Sequence, residues 1–130
     1  MNLEEKRQAA IDFFIATANG RGNPALRSVD FRIWNPQIGE LTAEELGVVS
    51  AKAMDLFKDG LAITIDGTTA EGNRVAIEAR SSGELINGTR YNGTYHILIE
   101  FDDAGKVRRM AEHLDSKHMA DVVSPLLGVA

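Results

Sequence analysis

The fold of this chain can be inferred from the segment GKVRRMAEHLD at residues 105–115. A run of alternating apolar residues precedes it at 91–101, and the polar turn at 102–104 separates the two. Alternation on both sides of a short polar turn predicts two antiparallel strands joined by a hairpin. Glu112 then lies deep in the second strand.

Glu112 is a carboxylate on a strand face that is otherwise largely apolar. Side chains alternate between the two faces of a strand, so Glu112 shares its face with Met110 and Leu114. An acidic group in this position is either the partner of a cation or a general base in a pocket. His113 has the opposite parity and is expected to face away.

The residues before this hairpin alternate between helical and strand patterns. A helix is predicted over residues 3–19, because apolar residues recur there at helical spacing, namely Ile11, Phe14, Ile15 and Ala18. A short strand is predicted at 29–34, and a Thr-x-x-Glu capping box opens a second helix over 42–60. Strand patterns then follow one another at 61–66, 74–80, 91–101 and 106–115. A final helical turn is expected after Ser116, and Asp115 is expected to cap it.

This order of elements predicts the α+β class. Consecutive strands joined by hairpins form an antiparallel sheet, and two amphipathic helices precede it in the chain. We expect a cone-shaped, curved antiparallel sheet with the N-terminal helices over its concave face, which is the cystatin-like α+β barrel architecture. A curled sheet under helices leaves a cavity between the two layers.

Composition and charge exclude several classes of protein. A length of 130 residues is enough for a single domain, 1–130, with a substantial core, and a net charge of −5 argues against a nucleic-acid binder. The absence of cysteine excludes a disulfide scaffold and thiolate chemistry. The acidic N-terminus lacks an apolar signal core, and no apolar run reaches the roughly 20 residues that cross a bilayer. We therefore expect a cytoplasmic protein with no membrane partner.

Several phrases of the sequence together resemble a known family. They are YNGTY at 91–95, DAGKV at 103–107, the pair Glu112 and Asp115, and VAIEAR at 75–80. In this order they resemble SnoaL-like proteins of the nuclear-transport-factor-2-like (NTF2-like) superfamily, which includes ketosteroid isomerase, polyketide cyclases and limonene epoxide hydrolase. The resemblance spans nearly the whole chain and implies a single SnoaL-like domain.

The resemblance implies roles for three charged residues. Glu112 falls where SnoaL-like cyclases place a catalytic Asp, and Glu78 and Arg80 fall on the strand that carries an Arg-x-Asp pair in the epoxide hydrolases. The charges of Glu78-x-Arg80 are in the reverse order, which argues against epoxide hydrolysis. Because residues 78 and 80 share a face, we expect Glu78, Arg80 and Glu112 to converge in one pocket. A rim ion pair is the structural alternative.

Other residues are candidates for contact with a ligand. Tyr95 is a candidate hydrogen-bond donor to a substrate carbonyl, as tyrosines are in the isomerase branch, and His96 is a candidate pocket acid. Trp34, Met110 and Leu114 are candidate apolar lining. Core packing is the competing interpretation for the aromatic residues and for His96. No pair of histidines has the spacing of a zinc site, so no metal and no cofactor are expected.

The sequence thus predicts a small cofactor-independent enzyme that moves a proton on an apolar carbonyl or ring substrate. Isomerisation, cyclisation and dehydration all fit, and the resemblance adds epoxide hydrolysis as an alternative. A non-catalytic module that binds a small hydrophobic molecule or only dimerises is the other alternative. The strand at 91–101 is apolar on both faces, which predicts a homodimer through the outer face of the sheet, with Tyr91, Tyr95, Ile97, Ile99 and Phe101 on one face.

Overall fold

The computed structural model describes residues 1–127. The chain forms helix α1 (Leu3–Ala18), strands β1 (Arg27–Asn35) and β2 (Gly39–Thr42), helix α2 (Ala43–Met54), strands β3 (Ala62–Glu71), β4 (Arg74–Glu84), β5 (Arg90–Phe101) and β6 (Val107–Leu114), and helix α3 (Ser116–Val122). Short 3₁₀ turns lie at Pro24–Leu26 and Ser124–Leu127. No helix within residues 1–127 is long and apolar enough to cross a membrane.

All six strands belong to one curved sheet that does not close into a barrel. The strand order is β2-β1-β6-β5-β4-β3. The four strands that follow α2 pair antiparallel through hairpins, as predicted, which confirms the α+β class. The sheet as a whole is mixed, because β1 pairs with β6 in parallel. A parallel pair needs a long crossover connection, and the chain between these two strands provides it.

Local turn chemistry explains where the predicted boundaries shift. Strand β2 was not predicted, since Pro36 and Gly39 looked like breakers; Gly39 instead takes a φ of 72° and turns the chain back beside β1. Strand β3 extends to Glu71 and not to residue 66. A bulge between Ile65 and Gly67 lets the strand continue past the glycine, and the reversal comes only at Gly72, where φ is 56°.

Capping side chains begin each of the three helices. Thr42 forms the expected capping box with Glu45, and Asn2 forms a second one with Glu5 at the start of α1. The carboxylate of Asp115 accepts a hydrogen bond from the backbone N–H of His118 at 3.1 Å. The prediction that Asp115 caps the last helix is therefore confirmed.

The core lies between α1 and the concave face of the sheet. Helix α1 buries Ala10, Phe13, Phe14 and Thr17. A smaller apolar cluster around Phe57, Leu85 and Tyr91 lies under α3. The apolar row that was expected on one face of β5 is buried on the concave side, where it includes Tyr91, Ile97, Ile99 and Phe101. Helix α1 packs against this side of β5, so the residues that alternate with the apolar row lie on the outer face of the sheet.

Candidate functional site

Cross-strand register places Glu112 on the concave face. Glu112 is the β6 partner of Ile97, which is in turn the β4 partner of Ile77, and both isoleucines are fully buried. Directly opposed residues on neighbouring strands project to the same side of a sheet. Met110 and Leu114 lie on this side with Glu112, as expected from their spacing.

The Glu112 carboxylate has no partner that would stabilise its charge. Within residues 1–127, no side-chain hydrogen bond and no ion pair involves it. Burial raises the pKa of Glu112 from its ordinary 4.5 to about 7, because desolvation disfavours the ionised form. A carboxyl group that titrates near neutral pH both takes up and releases a proton readily.

Three hydroxyl groups form a connected chain near Glu112. The Tyr95 hydroxyl lies 2.7 Å from Ser81 Oγ and 3.2 Å from the Tyr91 hydroxyl. Burial is the largest cause that raises the pKa of both tyrosines, and the nearby Glu112 charge adds to it. Both phenols therefore stay protonated at neutral pH and can donate hydrogen bonds.

Gly93 makes room for this hydroxyl chain. A Cβ atom on residue 93 would lie 2.6 Å from Ser81 Oγ and 2.7 Å from the Tyr91 hydroxyl, and it would also overlap the Tyr95 hydroxyl. Distances of this size are incompatible with any side chain unless the network moves. The glycine of the YNGTY phrase is thus a steric requirement of the three hydroxyls.

Aromatic packing fixes the two phenol rings. Phe14 of α1 meets Tyr95 edge-on with ring centroids 5.8 Å apart. Phe57 meets Tyr91 in the same manner at 6.0 Å, while the His118 ring stacks on Tyr91 at 5.2 Å. The backbone N–H of Asn92 donates to His118 Nε2 at 3.1 Å, which holds α3 against β5. Both hydroxyls are therefore presented in defined positions.

The expected convergence of Glu78, Arg80 and Glu112 is wrong. Glu78 and Arg80 lie on the outer face of β4, because Ile77 and Ala79 between them occupy the concave face. Arg80 Nε and Nη2 donate to both oxygens of Asp66, at 2.9 and 2.8 Å. Asp66 is the extra residue of the β3 bulge, so the cation is already neutralised on the opposite side of the sheet from Glu112.

The residues predicted to contact a ligand do not all lie on the same face of the sheet. Tyr95, Met110 and Leu114 lie on the concave face, and Met110 is fully buried in the core. His96 is exposed on the outer face beside its β6 partner His113. Trp34 also lies outside, with its ring 5.0 Å from that of His113. His96 and Trp34 therefore do not reach the Glu112 site.

An open groove of about 650 Å³ lies on the outer face of the sheet. Its lining includes Asp66, Glu78, Arg80, His96 and His113. It is wide open to solvent, and Glu112 is not part of its lining.

Sequence reasoning missed Ser81 and gave Tyr91 no role in the site. Strand parity contained the necessary signal, since residues 91, 93 and 95 share one face of β5 and residue 81 is the β4 partner of Gly93. That partnership depends on the register between two strands, which the sequence pattern does not specify.

Comparison with solved structures confirms the expected fold. The BvnE pinacolase from Penicillium brevicompactum matches with a TM-score of 0.79 at 16% identity, over 98% of each chain. A SnoaL-like polyketide cyclase from Jannaschia sp. CCS1 matches with 0.74 at 16% identity, over 95% of each chain. An LEH-like epoxide hydrolase from M. tuberculosis matches with 0.69 at 15% identity, over 95% of this chain and 93% of its own.

The architecture is therefore that of the SnoaL-like and NTF2-like proteins. Comparison with protein-family models and with curated protein sequences finds no match. At these identities the structural likeness shows the fold, and one fold of this kind hosts many activities.

The raised pKa of Glu112 predicts an unusual dependence of stability on pH. The unfolded chain loses the proton near pH 4.5, whereas the folded chain keeps it to about pH 7. The contribution of Glu112 is therefore most favourable below pH 4.5, declines between pH 4.5 and 7, and stays low above. We expect Glu112→Gln to raise the free energy of unfolding by about 3 kcal/mol at pH 8 and little at pH 4.

Chemical denaturation of both proteins at the two pH values measures this difference. Glu40→Gln, at an exposed position of β2, is the matched control and should show no such pH-dependent gain. A Glu112→Gln variant that is less stable than the parent at pH 8 would contradict the account, because it would reveal a partner for the charge.

Proposed function

We propose that this chain is a small cofactor-independent enzyme that moves a proton on an apolar carbonyl or ring substrate, with Glu112 as the general base. The observation that carries the proposal is the carboxylate of Glu112 on the concave face, which has no cation partner within residues 1–127 and a pKa of about 7. Strong perturbation by desolvation is typical of functional carboxyl groups. A purely structural ion pair would need a cation beside it.

Tyr95 is proposed as the donor that stabilises negative charge on the substrate. Its oxygen has two hydroxyl neighbours, Ser81 and Tyr91. When both neighbours donate to that oxygen, the proton of Tyr95 is directed away from them and is available to a carbonyl group. Preorganised donors at a developing oxyanion are among the largest contributions to catalysis.

The reaction class follows from these two groups. Glu112 removes a proton from the carbon next to the carbonyl, and the electron pair of the C–H bond moves to give an enolate. Tyr95 donates a hydrogen bond to the enolate oxygen. In an isomerisation, the protonated Glu112 returns the proton to another carbon of a conjugated enolate. In a cyclisation, the enolate carbon attacks a second carbonyl and Glu112 protonates the alkoxide that forms. In a dehydration, the enolate expels the β-hydroxyl group, which Glu112 protonates so that it leaves as water.

Two alternatives fit the geometry less well. Epoxide hydrolysis of the type that the resemblance implied needs an arginine beside the carboxylate, and Arg80 instead binds Asp66 on the outer face. A non-catalytic module that binds a small hydrophobic molecule would use the same concave interior. It does not explain why a carboxylate remains there at a cost to stability.

Exchange of ketone α-protons with solvent tests the proposal, because it requires only the base and the oxyanion donor and no particular substrate. Cyclic ketones, 2-tetralone among them, are incubated with the protein in D₂O, and loss of the α-proton signal is followed by NMR. The rate should rise with pH and level off above about pH 7 as Glu112 ionises. Glu112→Gln should lower it by about 100-fold to 10,000-fold, and Tyr95→Phe by about 100-fold.

Glu78→Gln is the matched control, because it changes the same functional group on the opposite face of the sheet. It should leave the exchange rate unchanged. Saturable binding of the ketones with no protein-dependent exchange would favour the non-catalytic alternative, and equal loss in Glu78→Gln and Glu112→Gln would overturn the assignment of the base.

We also propose that the outer face of the sheet pairs two copies of the chain. One apolar row crosses four strands on this face, and it consists of Ala76, Leu98, Ala111 and Trp34. Glu78 lies in the row on one side of it. The row on the other side has an excess of positive charge, since it contains Arg74, Arg109 and Arg32 and one acidic residue, Glu100. A twofold axis along the apolar row would bring the acidic side of one copy onto the basic side of the other.

Sedimentation at micromolar concentration tests this pairing. We expect twice the chain mass of 14.1 kDa for the parent protein. Leu98→Arg should yield the monomer with unchanged circular dichroism, because it places a charge in the apolar row. Val48→Arg, at an exposed position of α2, should leave the dimer intact. A parent protein that sediments as a monomer would contradict the proposal.

A further inference from the structure

Helix α3 brings one histidine against the hydroxyl chain of the proposed active site. The ring of His118 stacks on the ring of Tyr91, with centroids 5.2 Å apart and planes inclined by 9°. The Tyr91 hydroxyl lies 3.2 Å from the hydroxyl of Tyr95, which is the proposed donor to the substrate. Tyr91 therefore connects His118 to that donor.

His118 also continues the hydrogen bonding of β5 at the point where β6 ends. Just beyond β6, the backbone N–H of Asp115 still donates to the Thr94 carbonyl, at 3.3 Å. Backbone groups of alternate residues point to the same edge of a strand, so the N–H of Asn92 is directed to this edge as well. It donates to His118 Nε2 at 3.1 Å. A side chain thus occupies the place that a longer β6 would fill with a backbone carbonyl.

The hydrogen bond from Asn92 specifies the protonation state of His118. Nε2 accepts this bond and so carries no proton, which places the single proton of the neutral ring on Nδ1. A protonated ring would direct its own Nε2–H at the Asn92 N–H, and two donors cannot form one hydrogen bond. Such a ring is still attracted to the face of Tyr91, but it cannot keep its present position. The arrangement therefore requires neutral His118.

Within residues 1–127, no carboxylate holds the His118 ring by an ion pair. The backbone N–H of His118, and not its ring, donates to Asp115. The titratable and charged groups on the segments around the ring are Asp115, Lys117 and Asp121 at α3, Arg90 on β5, Glu112 and His113 on β6, and Glu84 on β4. Lys117 pairs with Asp121 at 2.7 Å, and Glu84 pairs with Lys58. A proton gained by the ring therefore meets no ion-pair partner that would fix the ring where it is.

Given the proposed roles of Glu112 and Tyr95, we propose that neutral His118 is a positioning residue for the proton transfer and that its protonation releases Tyr91. His118 and Phe57 both contact the Tyr91 ring, at centroid distances of 5.2 and 6.0 Å, and hold its hydroxyl beside that of Tyr95. When the imidazole leaves, one face of Tyr91 loses its cover. The Tyr91 hydroxyl then donates less consistently to Tyr95, and the Tyr95 proton is less well directed to the substrate.

The rest of α3 keeps the helix in place when the His118 ring changes. Val123 is only 3% exposed and packs in the apolar cluster under α3, and Met119 and Val122 pack against the same cluster. The capping bond to Asp115 comes from the backbone of His118 and does not depend on its side chain. Substitution of the ring therefore removes the stack and the bond to Asn92, and we expect the variants to fold.

Two-dimensional ¹H–¹⁵N NMR of the intact protein tests the release of the ring without any substrate. The Asn92 amide signal should shift between pH 8 and pH 5, the range in which histidines change charge. In His118→Gln, the side-chain amide oxygen replaces Nε2 as the acceptor and is not protonated in this range, so most of the shift should be lost. An Asn92 signal that does not respond to pH, or a shift of equal size in the parent protein and His118→Gln, would overturn the inference.

Ratios of rates in the ketone exchange assay test the positioning role, because the ionisation of Glu112 affects parent and variant alike and cancels in the ratio. His118→Phe keeps an aromatic ring but removes the acceptor. It should lower the rate by about threefold to tenfold at pH 8 and little at pH 5, where the parent protein has also lost the bond to Asn92. His118→Gln should resemble the parent at pH 8 and exceed it at pH 5.

His96→Gln is the matched control, because it makes the same substitution at an exposed position on the outer face of β5. It should leave the Asn92 shift and both rate ratios as they are in the parent protein. A ratio for His118→Phe that is the same at pH 8 and pH 5 would assign His118 a merely structural role and overturn the inference. Absence of exchange in the parent protein would count against the proposed function, whereas the Asn92 titration decides the release of His118 in either case.

Discussion

The alignment of Ile77, Ile97 and Glu112 across three strands is the constraint on which the rest of the structure depends. A shift of one residue between any two of these strands would move every side chain to the other face of the sheet. The two isoleucines are fully buried under α1, so this register is held by the core. The register of the neighbouring strands places Glu112 on the concave face. Within residues 1–127, its carboxylate has no hydrogen-bond or ion-pair partner there.

On the concave face, Glu112 lies in a row with two buried isoleucines and near one connected set of hydroxyl groups. Ser81, Tyr91 and Tyr95 satisfy one another, and Gly93 leaves them the space to do so. A hydroxyl network in a low-dielectric region is strong when all its members are paired. Burial keeps both phenols protonated beside a carboxyl group whose pKa burial raises to about 7, which is the combination that the proposed enolate chemistry requires.

The sequence was informative about patterns within a strand and uninformative about register between strands. Spacing alone placed Glu112 with Met110 and Leu114, and it placed Glu78 with Arg80; both pairings are present. Which of the two faces Glu78 and Arg80 occupy depends on their partners in β3 and β5. The Asp66 bulge, which supplies the acid for Arg80, leaves no period-2 signal in the sequence. The parallel pairing of β1 with β6 is likewise a tertiary outcome.

The central claim is that Glu112 has no compensating cation in the described part of the chain and therefore holds its proton to near neutrality. Direct titration of its side-chain carboxyl carbon by ¹³C NMR, assigned with Glu112→Gln, measures this most directly. The account predicts a midpoint of about 7, with the Tyr95 ring signals changing over the same pH range. A midpoint at or below the ordinary value of 4.5 would show that a cation or hydrogen-bond donor stabilises the carboxylate, and would contradict the account.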